Sequence, residues 1–346
     1  LRLEDTVARL GGDEFTILLE DLGHESEAVR LAERIIQTLE KPFTISGQDV
    51  YISASIGICF GGAGATQTAP LELLRDADTA MYKAKKQGKA QVAVFDEDVA
   101  SEAAAQLRLE TDLRRALERC DSDANEFRVY YQPLVDLQTG EVVRLEALVR
   151  WEHPTQGFLS PANFIPLAED TGLILPLGRW VLKTACQQAA SWHTNSATET
   201  PPGLAVNLSP RQFLQPHLVE EVREILVETG LEPQHLELEI TERIIMEHGE
   251  TTTDTLAQLK ALGVQLAIDD FGSGYSSLDY LKRFPVDTLK IDRAFIHDLA
   301  SNEVDVAIVG AVTTMAQALG SLVVAEGLET ALQVSRVRAL GCDTGQ

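Results

Sequence analysis

Leu145-Glu146-Ala147-Leu148-Val149-Arg150-Trp151 sets Glu146 at the end of an apolar stretch, and the chain repeats that arrangement downstream. The apolar run 205–206 leads into Asn207, 236–238 into Glu239, 264–268 into Asp269 and Asp270, 286–289 into Lys290, and 322–325 into Glu326. Runs this short and apolar read as buried strands. Helix-length segments separate most of them, which predicts parallel strands joined by crossover helices. Functional groups at the C-terminal ends of successive strands are how a (β/α)8 barrel assembles its site.

Working outward, seven strands are predicted after Phe127: 129–135, 142–148, 204–208, 236–240, 264–268, 286–291 and 322–325. A barrel needs eight. The chain ends at Gln346, where an eighth would begin, so the expectation is an α/β TIM-like barrel lacking its eighth strand. Upstream, residues 1–97 read as a separate α+β unit. It has a hairpin over 7–19 with an acidic turn, a helix over 26–40, a strand over 50–60, a helix over 71–87 and a closing strand over 92–95. The charged stretch 98–124, with Leu107, Leu113 and Leu117 at helical spacing, reads as a linker helix, and 125–346 as the barrel domain.

Composition narrows the function. The 346 residues carry a formal net charge of −24, with 45% hydrophobic and 24% charged residues. A soluble protein with no cationic surplus has no counterions to release from a nucleic-acid polymer, so that class of partner is excluded. A small anionic ligand remains open, because a bound metal or one well-placed Arg inverts the local field. No apolar run reaches the ~18 residues of a membrane span, so no membrane contact is expected of this stretch. Cys59, Cys120, Cys186 and Cys342 lie far apart, and there is neither a CxxC nor an HxxxH pair. That argues against zinc and a disulfide framework and fits the reducing cytoplasm. The first residue is Leu1 rather than Met, which points to a piece of a longer protein whose upstream part could include a membrane-anchored sensor.

Glu146, Asn207, Glu239, Asp269, Asp270 and Glu326 all offer oxygen donors, the ligands of Mg2+ and Mn2+. So many carboxylates on one rim would repel one another without cations. Two bound ions could clamp a phosphodiester and generate a hydroxide nucleophile. Lys290 could orient that water or stabilise developing charge, and Arg150 could fork onto a phosphate. One charged strand end is ordinarily just solvated; six at matching places are not. The stretch Asp269-Asp270-Phe271-Gly272-Ser273-Gly274-Tyr275-Ser276-Ser277-Leu278 reads as a flexible loop able to cross the site, or as an ordinary βα connection.

With these motifs in hand, residues 107–346 resemble the EAL family of cyclic di-GMP phosphodiesterases, through Glu146-Ala147-Leu148 and Val149-Arg150-Trp151. Arg9-Leu10-Gly11-Gly12-Asp13-Glu14-Phe15 resembles the signature of the GGDEF family of diguanylate cyclases. The first resemblance implies metal ligation by Glu146, Asn207, Glu239, Asp269 and, through bridging or water, Asp270. It implies catalytic roles for Glu146, Lys290 and Glu326, and substrate contacts from Gln132, Arg150 and Gln346. It also implies that Glu242 steadies the Asp-Phe-Gly loop and that barrels pair as homodimers near it. The second resemblance covers the C-terminal half of a cyclase domain, with Arg2 and Asp5 at the RxxD position of its inhibitory product-binding site.

The expectation is therefore hydrolysis of cyclic di-GMP to pGpG with two Mg2+ or Mn2+ ions. Two alternatives stand beside it: a bifunctional or cyclase-dominant parent that makes cyclic di-GMP from GTP and uses the barrel as a sensor, and a non-enzymatic receptor. The half cyclase domain is expected to make no cyclic di-GMP by itself.

Overall fold

The computed structural model describes residues 2, 4–20, 22–45, 48–61, 69–86, 90–195, 201–272, 286–299 and 301–346. The chain divides into two compact units, Leu1–Leu109 and Glu110–Gln346.

In the first unit, strands β1 (Thr6–Gly11) and β2 (Glu14–Leu18) form an antiparallel hairpin turned at Gly12, whose φ of 51° suits glycine. Arg9 closes the turn by donating from Nε to the Gly12 carbonyl at 2.8 Å. The strand expected over 50–60 is instead two pieces. Strand β3 (Phe43–Ile45) pairs with β4 (Gln48–Val50) in a second hairpin, while β5 (Ile56–Ile58) runs parallel to β6 (Val92–Val94). The small polar run Ser53-Ala54-Ser55 between them has low strand preference and breaks the pattern. The helix Glu25–Leu39 buries Ala28, Ala32 and Ile36, and the helix Pro70–Lys86 buries Ala80 and Ala84. The linker helix spans Glu97–Glu118 and stops short of 124, because residues 119–125 fold into turns in which Ser122 and Asn125 bond the backbone locally.

The second unit is a closed barrel. Its strands are β7 (Phe127–Asp136), β8 (Val142–His153), β10 (Gly203–Leu208), β11 (Leu236–Thr241), β12 (Gln265–Phe271), β13 (Thr288–Ile291), β14 (Leu322–Ala325) and β15 (Thr344–Gly345), with β9 (Gly157–Leu159) added outside the ring on β8. The eighth strand expected to be lacking is therefore present. The two residues of β15 pair parallel with β14 and antiparallel with β7, and that closes the ring. The expected parallel arrangement also has an exception: β7 lies antiparallel to both β15 and β8. The Leu137–Glu141 connection to β8 is a tight turn, with Asp136 Oδ1 accepting from the Gln138 and Thr139 amides, and is too short for a crossover.

Strand alternation divides the side chains. Leu236, Leu238 and Ile240 of β11 are buried, as are Leu204, Val206 and Leu208 of β10. The other parity of β11 carries Glu237 and Glu239, whose partners lie across the ring on β8 and β13, so it points into the barrel. Helices such as Pro161–Thr171, with Phe164 fully buried, cover the apolar outer face. Polar groups inside and aliphatic groups beneath the helices leave the strand ends free to carry chemistry.

Candidate active site

Glu146 on β8 is 5% exposed, and its carboxylate is held from several directions. Asn207 Nδ2 donates to its Oε1 at 2.6 Å, Gln346 Nε2 to its Oε2 at 2.6 Å, and Lys290 Nζ to its Oε2 at 3.4 Å. The last residue of the chain thus fixes a rim carboxylate. Lys290, on β13 and 1% exposed, also pairs with Glu239 at 2.9 Å, Asp269 at 3.3 Å and Glu326 at 2.7 Å. Strands β8, β10, β11, β12, β13 and β14, with Gln346, therefore converge on one ring around the buried Lys290 ammonium.

Asp269 and Asp270 reach this ring through a backbone irregularity. Between β12 and β13 the register advances from Ile268↔Leu289 to Phe271↔Ile291, so two aspartates oppose one lysine. This is a β-bulge, which re-aims side chains that would otherwise alternate. Asp270 takes the left-handed φ of 52°, which Asp tolerates better than most residues. As a result Asp269, Asp270 and Glu326 each bring a carboxylate oxygen within 4.8 Å of the others. Next to the bulge, Glu242, 7% exposed, accepts from the Gly272 amide at 3.1 Å. Gly272 has φ 96°, and a Cβ there would stand 2.9 Å from the Phe295 ring. The rest of the expected site loop, residues 273–278, lies outside the described residues.

The electrostatics follow from four carboxylates paired with one lysine, and Asp270 next to them. The four carboxylates around Lys290 outweigh its burial and hold its pKa well above the ordinary value. For Glu146, burial pushes the pKa up, but the Lys290 charge and the bonds from Gln346 and Asn207 prevail and hold it low. Burial drives Glu239 well above its usual range, and Glu146 and Asp269 add repulsion. Burial also raises Glu326, to about 7, against the pull of Lys290. Asp270 is raised by burial and by the neighbouring charge of Asp269.

A divalent cation fits this ring. The donors are all oxygens, the preference of hard cations. Glu239 Oε1 is buried with no hydrogen-bond donor, an expensive arrangement unless a cation takes it. Asn207, exposed at the mouth, gives its amide protons to Glu146 and keeps its amide oxygen as a donor atom.

Other predicted residues fall beside the ring or away from it. Gln132 on β7 is exposed and sits directly opposite Glu146 in the β7–β8 ladder. Arg150 lies farther along β8, with its guanidinium carbon 6.0 Å from the centre of the Tyr130 ring. In the first unit Gly11, Gly12, Asp13, Glu14 and Phe15 are exposed on the hairpin. Arg2 pairs with Glu27 at 2.8 Å, and its backbone amide donates to Asp5.

Sequence reasoning missed a polar layer one step below the ring. Arg144 pairs with Glu237 at 3.0 Å and donates to Gln265 at 2.5 Å, and Thr288 donates to Glu237 at 2.6 Å. Arg144, Glu237 and Thr288 each precede a ring residue by two positions. The polar alternation of Leu236-Glu237-Leu238-Glu239 was the available signal.

The chain matches two domain families: the EAL domain over residues 110–346, and the diguanylate cyclase GGDEF domain over residues 1–91. It is 45% identical over 347 residues, covering 100% of this chain and 49% of the relative, to the bifunctional diguanylate cyclase/cyclic di-GMP phosphodiesterase MucR of Pseudomonas aeruginosa. It is 41% identical over 346 residues to the cyclic di-GMP phosphodiesterase NbdA of the same organism, covering 100% of this chain and 43% of that protein. The chain thus spans about half the length of these curated relatives. Among solved structures, the MucR phosphodiesterase in complex with cyclic di-GMP superposes with a TM-score of 0.65 at 46% identity, covering 69% of this chain and 94% of that one. The FimX EAL domain of Xanthomonas citri in complex with the same dinucleotide gives 0.63 at 28% identity, covering 71% and 93%. Domains of the matched family depend on metal, as the crowding of acids in this ring would require. The carboxylate ring, the closed barrel with its one reversed strand and the match over residues 110–346 together make this chain a member of the EAL domain family.

Proposed function

We propose that the barrel hydrolyses cyclic di-GMP to linear pGpG with two divalent cations, Mg2+ or Mn2+. The ring carries this reading: four carboxylates paired with the buried Lys290, Asp270 and Asn207 beside them, and a Glu239 oxygen that has no donor. The names of MucR and NbdA, and the dinucleotide bound to the MucR phosphodiesterase, support the choice of substrate.

Glu146, Asn207, Glu239, Asp269 and Asp270 would hold the ions. When bound, they would neutralise the diester and supply a hydroxide nucleophile at neutral pH. The residues of the chain do the rest. Asn207 and Gln346 orient the Glu146 carboxylate. Lys290 places a fixed charge where negative charge develops on the diester. Glu326, 2.7 Å from the Lys290 ammonium, holds that charge in place beside the ring. Glu242 holds the Gly272 amide and with it the aspartate bulge. Gln132, Arg150 and Gln346 would contact the dinucleotide, Arg150 forking onto a phosphate. The reading includes pairing of two barrels into a homodimer.

A second reading, a longer protein that also makes cyclic di-GMP from GTP, is favoured by the intact, exposed Gly11-Gly12-Asp13-Glu14-Phe15 turn and its tie to Arg9. Arg2 and Asp5 would then form its inhibitory site. One paired assay tests both readings. The purified chain is incubated with cyclic di-GMP, and the full-length protein with GTP and with cyclic di-GMP, each with Mg2+, Mn2+ or chelator, and the products are separated by chromatography. The proposal requires pGpG from cyclic di-GMP with metal and none with chelator. Metal-replete protein that leaves the dinucleotide intact would refute it.

A further inference from the structure

Two aromatic side chains beside the ring have no role in the account above. Tyr130 on β7 is 50% exposed and Phe158 on β9 is 52% exposed, and among the described residues of the barrel unit no other aromatic is as open. By contrast, Phe127, Trp151 and Phe164 nearby are almost wholly buried, and Tyr131 packs edge-on against Trp192 at 4.7 Å. Exposing two large rings side by side loses burial that a purely structural role would keep.

The strand register decides which way they face. Gln132 opposes Glu146, Tyr130 opposes Leu148, and Arg128 opposes Arg150. Directly opposed residues share a face, and side chains alternate along a strand. Tyr130 and Arg150 therefore stand on the face that carries Glu146 into the ring, while Ala147 and Trp151 point to the buried outer side. Phe158 opposes Glu152, which puts it on that same face. The Tyr130 and Phe158 rings meet at 5.6 Å between centroids, tilted 53°. Tyr130 lies two residues beyond Gln132, roughly 7 Å along the strand. Arg150 reaches over its ring at 6.0 Å. Moving away from the carboxylates, the wall thus runs from an amide to a cation against a ring to a second ring. A ligand with an anionic phosphate at one end and a flat base at the other matches that order.

We propose that Tyr130 and Phe158 form a stacking platform for one guanine base of the cyclic dinucleotide and so act as further substrate-binding residues, a proposal that rests on the phosphodiesterase reading. Every base has a π-face, and an aromatic wall recognises it without hydrogen bonds. Arg150 adds a cation that can hold the phosphate of the same nucleotide.

The test uses the whole chain with Tyr130→Ala, Phe158→Ala, the double variant, and the conservative Tyr130→Phe and Phe158→Trp. Steady-state hydrolysis of cyclic di-GMP gives KM and kcat, calorimetry gives the Kd, and sedimentation gives the oligomeric state. An abasic cyclic diribose phosphate, the same sugar–phosphate ring without bases, serves as competitor. Each alanine variant should raise KM and Kd by about 10-fold, in line with stacking losses elsewhere. It should leave kcat and the Ki of the abasic competitor unchanged, and the conservative variants should bind as the wild type does. Unchanged Kd in the double variant would overturn the platform. So would an equal loss of affinity for the abasic competitor, or a loss that tracks a broken dimer. Wild-type protein that binds cyclic di-GMP without cleaving it would sink the phosphodiesterase reading, and the Kd ratios would still decide the platform. Wild-type protein that does not bind it would overturn both.

Discussion

Among the described residues, Lys290 is the one ammonium that pairs with Glu146, Glu239, Asp269 and Glu326, and replacing it with methionine removes that charge. The side chain is 1% exposed, so water cannot take its place. Breaking a buried ion pair by deleting one partner costs about 3–5 kcal/mol, because the remaining charge is stranded. For a barrel of this size about 1 kcal/mol moves Tm by 2–4 °C, so the metal-free variant should melt roughly 6–20 °C lower. The pH window follows from the direction of the Lys290 shift. Its folded pKa lies well above the ordinary 10.5, so its stabilisation is fully present below 10.5 and is lost only as pH rises through the folded value. The deficit should shrink on acidification, as the carboxylates take up protons. It should shrink on adding Mg2+ or Mn2+ as well, since a cation among the same oxygens supplies the missing charge. Thermal and urea unfolding of wild type and variant, with chelator and with saturating cation, measures both effects. A deficit of the same size in chelator and in cation would refute the reasoning, because it would make Lys290 a packing residue rather than a counter-charge.

The raised Glu326 pKa, about 7, predicts a proton-linked metal affinity. A carboxyl raised in the folded state favours that state fully below its unfolded value near 4.5, and the benefit fades as pH climbs through 7. Metal-free stability should therefore fall by up to about 3 kcal/mol between those pH values, and Glu326→Gln should flatten the curve. Cation affinity should rise over the same window with release of about one proton, read by calorimetry in buffers of different ionisation heat; release of no proton would contradict the assignment. Glu242→Ala strands the Gly272 amide and should weaken cation binding by about 10-fold, from a lost charge-assisted bond of about 1.5–3 kcal/mol. Metal titration checks the affinity, and sedimentation checks whether the dimer weakens with it. In the first unit a Cβ at Gly57 would stand 2.0 Å from the Ala77 carbonyl oxygen, so Gly57→Ala should destabilise that unit by at least 1–3 kcal/mol. Faster amide exchange in the helix Pro70–Lys86 would show this, and unchanged exchange would count against the packing described for β5.

The ring was legible in the sequence because each of its members ends or closely follows an apolar run, and strand direction places such positions together whatever the intervening helices do. Glu146, Glu239, Lys290 and Glu326 could be read in this way without any tertiary contact. The eighth strand could not. Two residues, Thr344 and Gly345, have no periodicity, and only the neighbours β14 and β7 make them a strand. The reversal of β7 had a signal in Gln138-Thr139-Gly140, a turn too short for a crossover, which a reading confined to strand ends did not use. The bulge that aims Asp269 and Asp270 together depends on one extra residue in β12 relative to β13, a register fact absent from any single strand. Arg144, Glu237, Gln265 and Thr288 meet only across the closed ring, and so they escaped a reading that looked at strand ends. Tyr130 and Phe158 escaped it for a different reason: hydrophobicity marks an aromatic as core, and only the register shows that these two stand, exposed, on the face that carries Glu146.

The measurement that bears most directly on the account is the rate of cyclic di-GMP hydrolysis as a function of Mn2+ concentration, for the wild type and for Glu146→Ala. Glu146 is the rim carboxylate gripped by Asn207, Gln346 and Lys290 together. Its removal should forfeit several kcal/mol of transition-state stabilisation, on the order of 10³-fold in rate. The account predicts a saturable dependence on Mn2+ in the wild type, no turnover in chelator, and a rate about 10³-fold lower in the variant at every concentration. Equal rates for the two proteins, or turnover that survives chelation, would contradict it.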